Sequence, residues 1–502
     1  MAPYLLKRFI TPQTLASQNF KNQYKYFILI VTFLSYLTYH ASRKPITIVK
    51  AELHMNCSSI DPNHHHNSSN WCDWKPFDND NYKNLFSQLD YGFLLSYAIG
   101  MFFSGMIAER TNMRYFLFVG MQLSALFTVL FGLGYILKIH RFSFYLLTQI
   151  SNGFVQSSGW PAVVALMGNW FGKSKRGFIM GVWNSHTSFG NIIGSLVASE
   201  YVESDWALSF IVPGVMIGIM GWVVFLTVIT SPGESGGDGI GEVSSRDRGD
   251  INALLGDVDS ENLELSGSEN DDDQVLAQEV NSNNQTNNNN NNIHQAITFK
   301  RALMIPGVIE FSLSLFFAKL VSYTFLFWLP FYLSSAFDLD PRKSGNFSTI
   351  FDIGGIIGGI LAGSFSDYTG HRAITCTGML TIGSVFLFLF QTVAEINTKW
   401  MVICLFLTGM AVNGPYALIT TAVSADLGTH SSLQGNAVAL ATVTSIIDGV
   451  GSIGAATGPF LVGIVAGKDS DWSRVFVMLL ICNLSSLLCL IKLVRKEWNG
   501  QV

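Results

Sequence analysis

The sequence predicts an all-α membrane protein with 12 transmembrane helices in two pseudo-symmetric six-helix halves. Three observations predict this fold class: a composition of 49% hydrophobic and 13% charged residues, a succession of long apolar runs, and one sequence pattern that occurs twice. A helix of about 20 apolar residues crosses the ~30 Å hydrocarbon core of a bilayer. The lipid bilayer is therefore the first expected partner of this chain.

The apolar runs form two sets of six. The runs of the N-terminal set lie near residues 26–46, 87–108, 115–137, 143–168, 177–200 and 206–230. Those of the C-terminal set lie near residues 303–333, 347–366, 373–394, 400–425, 436–466 and 473–493. We therefore expect an N-terminal half over 26–231 and a C-terminal half over 299–495, with cytosolic segments at 1–25 and 496–502.

Residues 232–298, between the two sets, read as a disordered cytosolic linker. This segment contains 14 Asp and Glu against two Arg, a net charge of 2 − 14 = −12, and few large apolar side chains. Such a composition cannot bury enough surface to offset the entropy lost on ordering. Because the whole chain carries −5, the remainder carries +7, and the overall acidity says nothing about the ligand.

Basic residues predict the orientation in the membrane. Those expected on one side are Lys7, Arg8, Lys21, Lys25, the segment "GKSKRG" (172–177), Lys492, Arg495 and Lys496. Lys and Arg collect in cytosolic loops, so both termini should be cytosolic. The chain does not open with the pattern of a cleaved signal peptide, and the first apolar run is interpreted as a span.

The loop at 51–86 should then be lumenal and glycosylated. It carries acceptor sequons at Asn56 and Asn67. It also carries Cys57 and Cys72, whereas the other four cysteines lie in predicted spans. The first pair is the one that can form a lumenal disulfide.

A motif recurs at the ends of the second and eighth runs. "GMIAERTNMR" (105–114) and "GSFSDYTGHR" (363–372) share a glycine, an acid four residues later and an arginine nine residues after the glycine. The matched residues are Gly105, Glu109 and Arg114 in the first copy and Gly363, Asp367 and Arg372 in the second. We expect the glycine to allow close helix packing and the acid to pair with a basic group or helix terminus.

This repeat resembles the loop signature of the major facilitator superfamily. The resemblance covers both halves, roughly residues 26–495. It implies two six-helix bundles around a central cavity that opens alternately to either side of the membrane. The chain would then be a secondary transporter.

The first span contains cations that need an explanation. It ends in "YHASRKPITIVK" (39–50), which follows an apolar run without a turn signal. The residues that share a helical face with Arg43 are Tyr36, Tyr39 or His40, and Lys50. A charge at the bilayer centre costs at least ~2.5 kcal/mol, so we expect Arg43 and Lys44 to face a polar cavity. Alternatively they extend to the lumenal interface, with Pro45 at the helix end.

A second cation, Lys319, lies in the matching span of the other half. In "FFAKLVSYTFLFWLPFYL" (316–333), Lys319, Ser322 and Tyr323 share a stripe, and no acid lies within four residues of Lys319. Two unneutralised cations near the axis between the halves would form a site for a phosphate monoester of about −1.5 to −2 charges. The alternatives for Lys319 are extension to the interface or pairing with an acid distant in sequence.

Three segments are similar to the organophosphate:phosphate antiporters, and most closely to the eukaryotic glucose-6-phosphate exchangers. They are "YLTYHASRKP", "GFVQSSGWPAVVALMGNWFGKSKRGFIMGVWNSHTSFGN" and "AKLVSYTFLFWLPFYL". The resemblance spans nearly the whole chain except the linker. It implies exchange of a sugar phosphate, glucose 6-phosphate in the first place, for inorganic phosphate across the endoplasmic reticulum membrane.

The same resemblance implies roles for individual residues. Arg43 takes the place of a phosphate-binding arginine, with Tyr36 and Tyr39 as its aromatic companions. An arginine of the relatives falls on Ser322, and Lys319 is the expected substitute. His186 follows the Trp of the "WN" pair by three residues where the relatives' histidine follows by four, so it either binds substrate or packs in the core.

Three further residues are weaker candidates. Trp160, in "GWP", and Asn413, in "AVNGPYAL", either shape the cavity or only pack. Asp448, in "TSIIDGVGS", is either a functional intramembrane acid or a local break in its helix.

No enzyme, cofactor or nucleic-acid partner is expected. "GNWFGKS" (168–174) lacks a spacer of the phosphate-binding loop and follows a span, and "HHH" (64–66) is not read as a metal site. Two other functions stay open: a proton-coupled organic-anion or sugar symporter that uses Asp448 or His186, and a transport-silent receptor or scaffold that docks through the linker. The sequence does not determine the oligomeric state.

Overall fold

A computed structural model of the chain describes residues 17–54, 74–171, 182–230, 299–393, 397–428, 437–466 and 472–500. The elements in these ranges are α-helices and one π-helical turn, as predicted. The loop residues Asn56, Cys57, Asn67 and Cys72 and the linker 232–298 lie outside the described residues. Glu109 and its motif partner Gly105 lie in a described helix, but the surroundings of both residues are outside the description.

The N-terminal half contains eight helices in the described ranges. They are α1 (Gln18–Arg43), α2 (Pro45–Leu53), α3 (Tyr82–Arg110), α4 (Met113–Ile136), α5 (Phe142–Gln156), α6 (Gly159–Trp170), α7 (His186–Tyr201) and α8 (Trp206–Thr227). Helices α1 and α2 together form the first span, and α5 and α6 form the fourth.

Within its described residues, the C-terminal half contains six long helices and two short ones. They are α9 (Phe299–Leu303), α10 (Val308–Phe337), α11 (Pro341–Thr369), α12 (Arg372–Val393), α13 (Thr398–Leu418), α14 (Ser424–Gly428), α15 (Ala437–Val465) and α16 (Trp472–Trp498). The π-helical turn Ile419–Val423 joins α13 to α14. All six long helices of this half, together with α4 and α8, are long and apolar enough to cross a bilayer.

Several helices extend beyond the predicted boundaries. Helix α1 begins at Gln18 rather than 26, α2 continues to Leu53, α3 begins at Tyr82, and α16 ends at Trp498. Hydropathy marks only the part of a helix that lies in hydrocarbon, whereas polar turns at its ends keep the helical hydrogen bonds in water. The predicted loop 51–86 and segments 1–25 and 496–502 are correspondingly shorter.

The first span is divided at Lys44 and does not end at Pro45. Proline lacks the N–H that would bond to the Ala41 carbonyl and is tolerated in the first turn of a helix. Pro45 accordingly opens α2, and the Lys44 N–H closes α1 on the Ala41 carbonyl at 3.4 Å.

The two halves pack their helices in the same pairs. In the N-terminal half α1 packs on α7, α3 on α5, and α4 on α8. The equivalent pairs of the C-terminal half are α10 with α15, α11 with α13, and α12 with α16. Between the halves, α3 packs on α15 and α7 on α11, which are also equivalent pairs. The duplication inferred from the motif is therefore present in the packing.

Glycines allow the close approach of α15 to α10. A Cβ at Gly458 would lie 2.5 Å from the Leu320 carbonyl oxygen, and Gly454 faces the Phe316 carbonyl even more closely. The prediction for the motif glycine was wrong in its second copy, because a Cβ at Gly363 would meet no atom within 4 Å. Gly363 borders a cavity instead.

Two faces of the bundle are distinguished by the chain path. The face at which Thr230 and Phe299 flank the linker is called the linker face. Near it, the Tyr24 hydroxyl donates to the Thr227 carbonyl and joins the start of the first span to the end of the sixth. The face at which Trp74 and Asp340 lie is called the opposite face.

The second copy of the motif forms an ion-pair cluster at the linker face. Arg372 donates to Asp367 at 2.6 Å and to Asp426, beyond the tenth span, at 2.9 Å. The expected pairing of the motif acid with a basic group is thus confirmed for Asp367. In the first copy, Arg114 is buried and lies 5.1 Å from the Tyr115 ring.

Glu497, near the end of α16, caps the start of α12. Its two carboxylate oxygens accept the backbone N–H groups of Ala373 at 2.8 Å and Ile374 at 2.9 Å. A carboxylate at a helix N-terminus satisfies unpaired donors and opposes the helix dipole. This contact fixes the last helix to the residue next to Arg372.

Glu497→Ala should lower the free energy of unfolding by about 1–2 kcal/mol, the upper range for loss of an N-terminal cap. Glu497→Gln, which keeps one acceptor oxygen, should cost less. Thermal unfolding of the purified protein in detergent measures both, with Glu200→Ala at an exposed site as the control. Equal melting temperatures for Glu497→Ala and the control would contradict the capping role.

Candidate functional site

Arg43 is buried in the middle of the bundle and has no carboxylate partner among the described residues. Its side chain is 7% exposed, and its Nε donates to Gln156 Oε1 at 2.7 Å. Its Nη2 atom is buried without a hydrogen-bond acceptor within the described ranges. A buried cation in this condition is costly unless another charge completes its environment.

Gln156 holds the guanidinium through a chain of amides. Its Nε2 donates to Ser42 Oγ at 3.0 Å and to Asn152 Oδ1 at 3.3 Å. Asn152 in turn donates to Thr128 Oγ1 at 3.2 Å. Because the Gln156 NH2 group donates in these two bonds, the amide oxygen is the atom that faces Arg43. The chain connects the first, third and fourth spans.

The aromatic companion of Arg43 is Tyr97, which the sequence did not indicate. The guanidinium carbon lies 4.7 Å from the centre of the Tyr97 ring and 5.9 Å from that of Phe93. Tyr36 contacts Tyr97 and not the guanidinium directly: the two tyrosine hydroxyl oxygens lie 3.3 Å apart. Tyr39 does not contact this group, because its ring fills the space that side chains at Gly120 and Gly159 would occupy.

The other three buried cations of the first and seventh spans are each paired with an acid. The pairs are Lys44 with Asp352 at 3.7 Å, Lys50 with Asp90, and Lys319 with Asp448 at 2.7 Å. The expectation that Lys319 is unneutralised was therefore wrong, and the alternative of a partner distant in sequence is confirmed. Asp448 lies in the uninterrupted helix α15, so it does not mark a local helix break.

Lys44 does not extend to the membrane interface. It is 2% exposed, and besides Asp352 its Nζ donates to the Leu326 carbonyl of α10 at 3.4 Å. That carbonyl is free because its normal helical partner would be the N–H of residue 330, which is a proline. Lys44 thus joins the N-terminal half to two helices of the C-terminal half.

Lys50 makes a second connection between the halves, nearer the opposite face. Its Nζ pairs with Asp90 of α3, donates to the Phe327 carbonyl at 3.1 Å, and lies 4.4 Å from the Trp328 ring. Around it, the rings of Phe86 and Phe331 contact across the halves at 6.1 Å. The described residues therefore close the opposite face.

A cavity of about 280 Å³ opens at the linker face between α7, α10, α11 and α13. Its mouth is bordered by Asp367, Arg372 and Asp426, and its deep wall includes His40, Asn191, Ser322, Tyr323, Asn413 and Tyr416. This volume is close to the lower end of the range for small-molecule sites, about 300 Å³. The cavity is therefore suited to a compact polar solute.

Tyrosines lie between this cavity and the two cations of the predicted site. Tyr323 and Tyr416 belong to the cavity wall, and Lys319 Nζ lies 5.5 Å from the centre of the Tyr416 ring. Tyr97 interacts electrostatically with both Arg43 and Lys319. Neither cation is among the residues that line the cavity.

The remaining predicted residues fall into two groups. His40 and Asn413 line the cavity, and His40 Nδ1 lies 3.2 Å from Asn191 Oδ1. His186 and Trp160 do not line it. The His186 ring is fully buried and lies 4.7 Å from Tyr36 and 4.4 Å from Trp183, so it packs beneath the Tyr36 ring.

Sequence reasoning missed four residues around the cations: Tyr97, Gln156, Asp90 and Asp352. A signal was present for the two acids, since each interrupts a long apolar run, in "LDYGF" and "IFDIGG". Intramembrane acids are rare and usually have a partner. Tyr97 and Gln156 gave no such signal, because tyrosine and glutamine occur on many helix faces.

Asp448→Asn should destabilise the protein by about 2 kcal/mol, because it leaves Lys319 buried without a counter-charge. The loss should be smaller than for a wholly buried pair, since the Asp448 side chain is 15% exposed. The double variant Lys319→Met/Asp448→Leu should recover most of it. Melting temperatures of Asp448→Asn, Lys319→Met and the double variant in detergent test this, and additive losses in the double variant would exclude the pairing.

Comparison with protein families identifies one match over most of the chain. The model of the Major Facilitator Superfamily matches residues 28–442 and, again, 311–500. A relative from Xenopus tropicalis, named glucose-6-phosphate exchanger SLC37A2, is 51% identical over 94% of this chain and 93% of its own length. The human proteins named glucose-6-phosphate exchanger SLC37A2 and SLC37A1 are 48% and 47% identical over 94% of this chain, covering 92% and 93% of their own lengths.

Solved structures support the same fold. A bacterial homologue of the human lysosomal transporter Spinster, in an inward-facing and unoccupied conformation, superposes with a TM-score of 0.59 at 15% identity. A D-xylose-proton symporter superposes with a TM-score of 0.58 at 12% identity. Each comparison covers 93% of this chain and 97% of the solved chain. At these identities the likeness concerns the fold alone.

Proposed function

Because this chain belongs to the major facilitator superfamily, we propose that it exchanges glucose 6-phosphate for inorganic phosphate across a membrane by alternating access. Relatives about half identical to it are named glucose-6-phosphate exchangers. The observation that carries the proposal is Arg43. Of the four buried cations in the first and seventh spans, it is the one without a carboxylate among the described residues. A phosphate group would complete its environment.

The described residues correspond to the state that is open at the linker face. Substrate enters the cavity past Arg372 and meets the wall formed by Tyr323 and Tyr416. Behind that wall, Tyr97 and Tyr36 separate the cavity from Arg43. A phosphate reaches the guanidinium when the Tyr36–Tyr97 contact opens. It then replaces the missing partner of Arg43 Nη2.

The unpaired cation also explains why transport would be an obligatory exchange. Closing both faces around Arg43 leaves a positive charge in a medium of low dielectric constant, which is costly. An anion bound to Arg43 lowers that cost, so the loaded carrier crosses between states and the empty one does not. Substrate must therefore be present on both sides.

Uptake of labelled phosphate into proteoliposomes tests this proposal. Uptake should require phosphate or glucose 6-phosphate inside the vesicles and should be absent from empty ones. Counterflow against hexose, triose and glycerol phosphates then ranks the substrates. Phosphate uptake that proceeds unchanged into vesicles without counter-substrate would refute exchange.

Proton-coupled symport is the second candidate. The observation that favours it is Asp448, an intramembrane acid beside Lys319 that is partly exposed. An imposed pH gradient separates the two mechanisms. It should drive uptake by a symporter into empty vesicles and should leave electroneutral phosphate exchange unchanged.

A transport-silent receptor or scaffold is the third candidate, and it depends on the linker. Deletion of residues 240–290 should abolish the function of a scaffold that docks through this acidic segment. An exchanger should keep its rate of phosphate exchange after the same deletion.

We further propose an endoplasmic reticulum location with the linker face in the cytosol. Lys21, Lys25, Arg495 and Lys496 support this orientation, because they lie at the ends of α1 and α16 on the linker face. The loop at the opposite face would then be lumenal, glycosylated at Asn56 and Asn67 and closed by a Cys57–Cys72 disulfide. Endoglycosidase sensitivity of the wild type, lost in Asn56→Gln/Asn67→Gln, tests the orientation.

A further inference from the structure

The deep wall of the cavity contains one hydrogen-bonded pair of neutral side chains from two different helices. Ser322 of α10 donates its hydroxyl proton to Asn413 Oδ1 of α13 at 2.5 Å. Both residues line the cavity, and both are at most 9% exposed. The pair therefore lies where a solute in the cavity would meet it, away from bulk water.

The unused donor and acceptor groups of Ser322 and Asn413 determine what this pair can still bind. The Ser322 proton is used, which leaves the lone pairs of its Oγ as acceptors. The Asn413 oxygen is used, and within the described ranges its Nδ2 donates to no acceptor. The pair thus offers one acceptor beside one donor, which complements an alcohol because a hydroxyl group both accepts and donates. Carboxylate oxygens and the ionised oxygens of a phosphate group only accept, so they match half of it.

Two other hydroxyls that line the cavity are instead bonded to a main-chain oxygen three or four residues earlier in the chain. Thr421 Oγ1 donates to the Ala417 carbonyl at 2.8 Å, and Ser185 Oγ donates to the Val182 carbonyl at 2.6 Å. Gly355 makes room for the amide, since a Cβ there would lie 2.6 Å from Asn413 Nδ2. The amide therefore occupies space that any larger residue at 355 would take.

We propose that Ser322 and Asn413 bind one hydroxyl group of the sugar and thereby distinguish a sugar phosphate from inorganic phosphate. This inference rests on the proposed exchange function and adds to it a subsite for the neutral part of the substrate. The phosphate end is recognised by charge at Arg43, whereas this end is recognised by paired donor and acceptor positions. Both inorganic phosphate and the sugar phosphate can then use one carrier with different affinities.

The test measures phosphate–phosphate exchange in proteoliposomes and its inhibition by external glucose 6-phosphate. The readout is the half-inhibitory concentration of glucose 6-phosphate divided by the KM for phosphate. For Asn413→Leu this ratio should rise about tenfold, as expected when a buried hydrogen bond to substrate is lost. Ser322→Ala, which removes only one hydroxyl group, should raise it in the same direction and serves if Asn413→Leu does not fold. Thr381→Val, at an exposed site, should leave the ratio unchanged.

Deoxy analogues of glucose 6-phosphate identify the hydroxyl. One analogue should inhibit the wild type about tenfold more weakly than glucose 6-phosphate does. In Asn413→Leu the same analogue and glucose 6-phosphate should inhibit equally. An unchanged ratio in both variants would overturn the subsite while leaving exchange intact. The same conclusion would follow if, for every analogue, the weakening of inhibition caused by the missing hydroxyl added to the weakening caused by Asn413→Leu. Absence of phosphate exchange by the wild type would overturn the proposed function, and the subsite with it.

Discussion

Arg43→Gln should reduce phosphate exchange by about 30- to 4,000-fold. Truncating one partner of a buried charged pair costs about 2–5 kcal/mol, and each 1.4 kcal/mol is a factor of ten. Glutamine is neutral and cannot attract a phosphate dianion into the bundle. The rate of counterflow of labelled phosphate in proteoliposomes, at equal amounts of reconstituted protein, gives the magnitude.

Arg43→Lys separates charge from geometry. Lysine keeps the positive charge but lacks the planar fork and the Nε–H that Gln156 orients. We therefore expect an intermediate loss of about tenfold, mostly in the KM for phosphate. Lys399→Gln, which removes a cation from an exposed site, should exchange at the wild-type rate.

Stability distinguishes a binding role of Arg43 from a structural one. If Arg43 awaits an anion, Arg43→Gln removes an uncompensated charge and should melt at the same temperature as the wild type or higher. Phosphate should raise the melting temperature of the wild type by mass action and leave that of Arg43→Gln unchanged. A lower melting temperature for the variant, with an undiminished response to phosphate, would show that Arg43 holds the fold and binds nothing.

Lys50→Met and Asp90→Leu should each destabilise the protein by about 3–5 kcal/mol, the usual cost of breaking a buried ion pair. Both side chains are fully buried, so either single change leaves a charge without a partner or water. The double variant Lys50→Met/Asp90→Leu should regain most of the loss, because apolar residues of similar volume replace the pair. Thermal or denaturant unfolding in detergent measures the three values.

The exposed pair of Arg342 and Glu200 provides the matched control. Its atoms are 2.6 Å apart and it also joins the two halves, but its side chains are 49% and 58% exposed. Arg342→Met should change the melting temperature little, because exposed pairs contribute about 0–1 kcal/mol. Similar losses at Lys50 and Arg342 would contradict the assignment of Lys50 to the interior.

The fold followed from the sequence because it depends on features that are local in the chain. Apolar runs of span length, a polar linker and a repeated ten-residue motif predict two six-helix halves without knowledge of any contact. Arg43 was predictable for the same reason, since one cation in an apolar run stands out. The exact ends of helices such as α1 were not, because polar turns outside hydrocarbon carry no hydropathy signal.

The pairings of the site were not predictable, because they join positions far apart in sequence. Lys319 and Asp448 are adjacent only after α10 packs on α15, and Gln156 reaches Arg43 only after the fourth span packs on the first. Helical periodicity gives the face on which a residue lies but not the residue it meets. For example, periodicity predicted Tyr39 of α1 as the aromatic neighbour of Arg43, but the ring stacked on Arg43 is that of Tyr97 from α3.

The lysine contacts of α10 have a consequence for mutational tolerance. Lys44 and Lys50 donate to the main-chain oxygens of Leu326 and Phe327, which every amino acid possesses. Side-chain replacements at 326 and 327 therefore leave both acceptors in place, and that stretch of α10 can vary in sequence while still bonding the first span. The vulnerable position is Pro330, four residues away, because any other residue there brings an N–H that competes with Lys44 for the 326 oxygen.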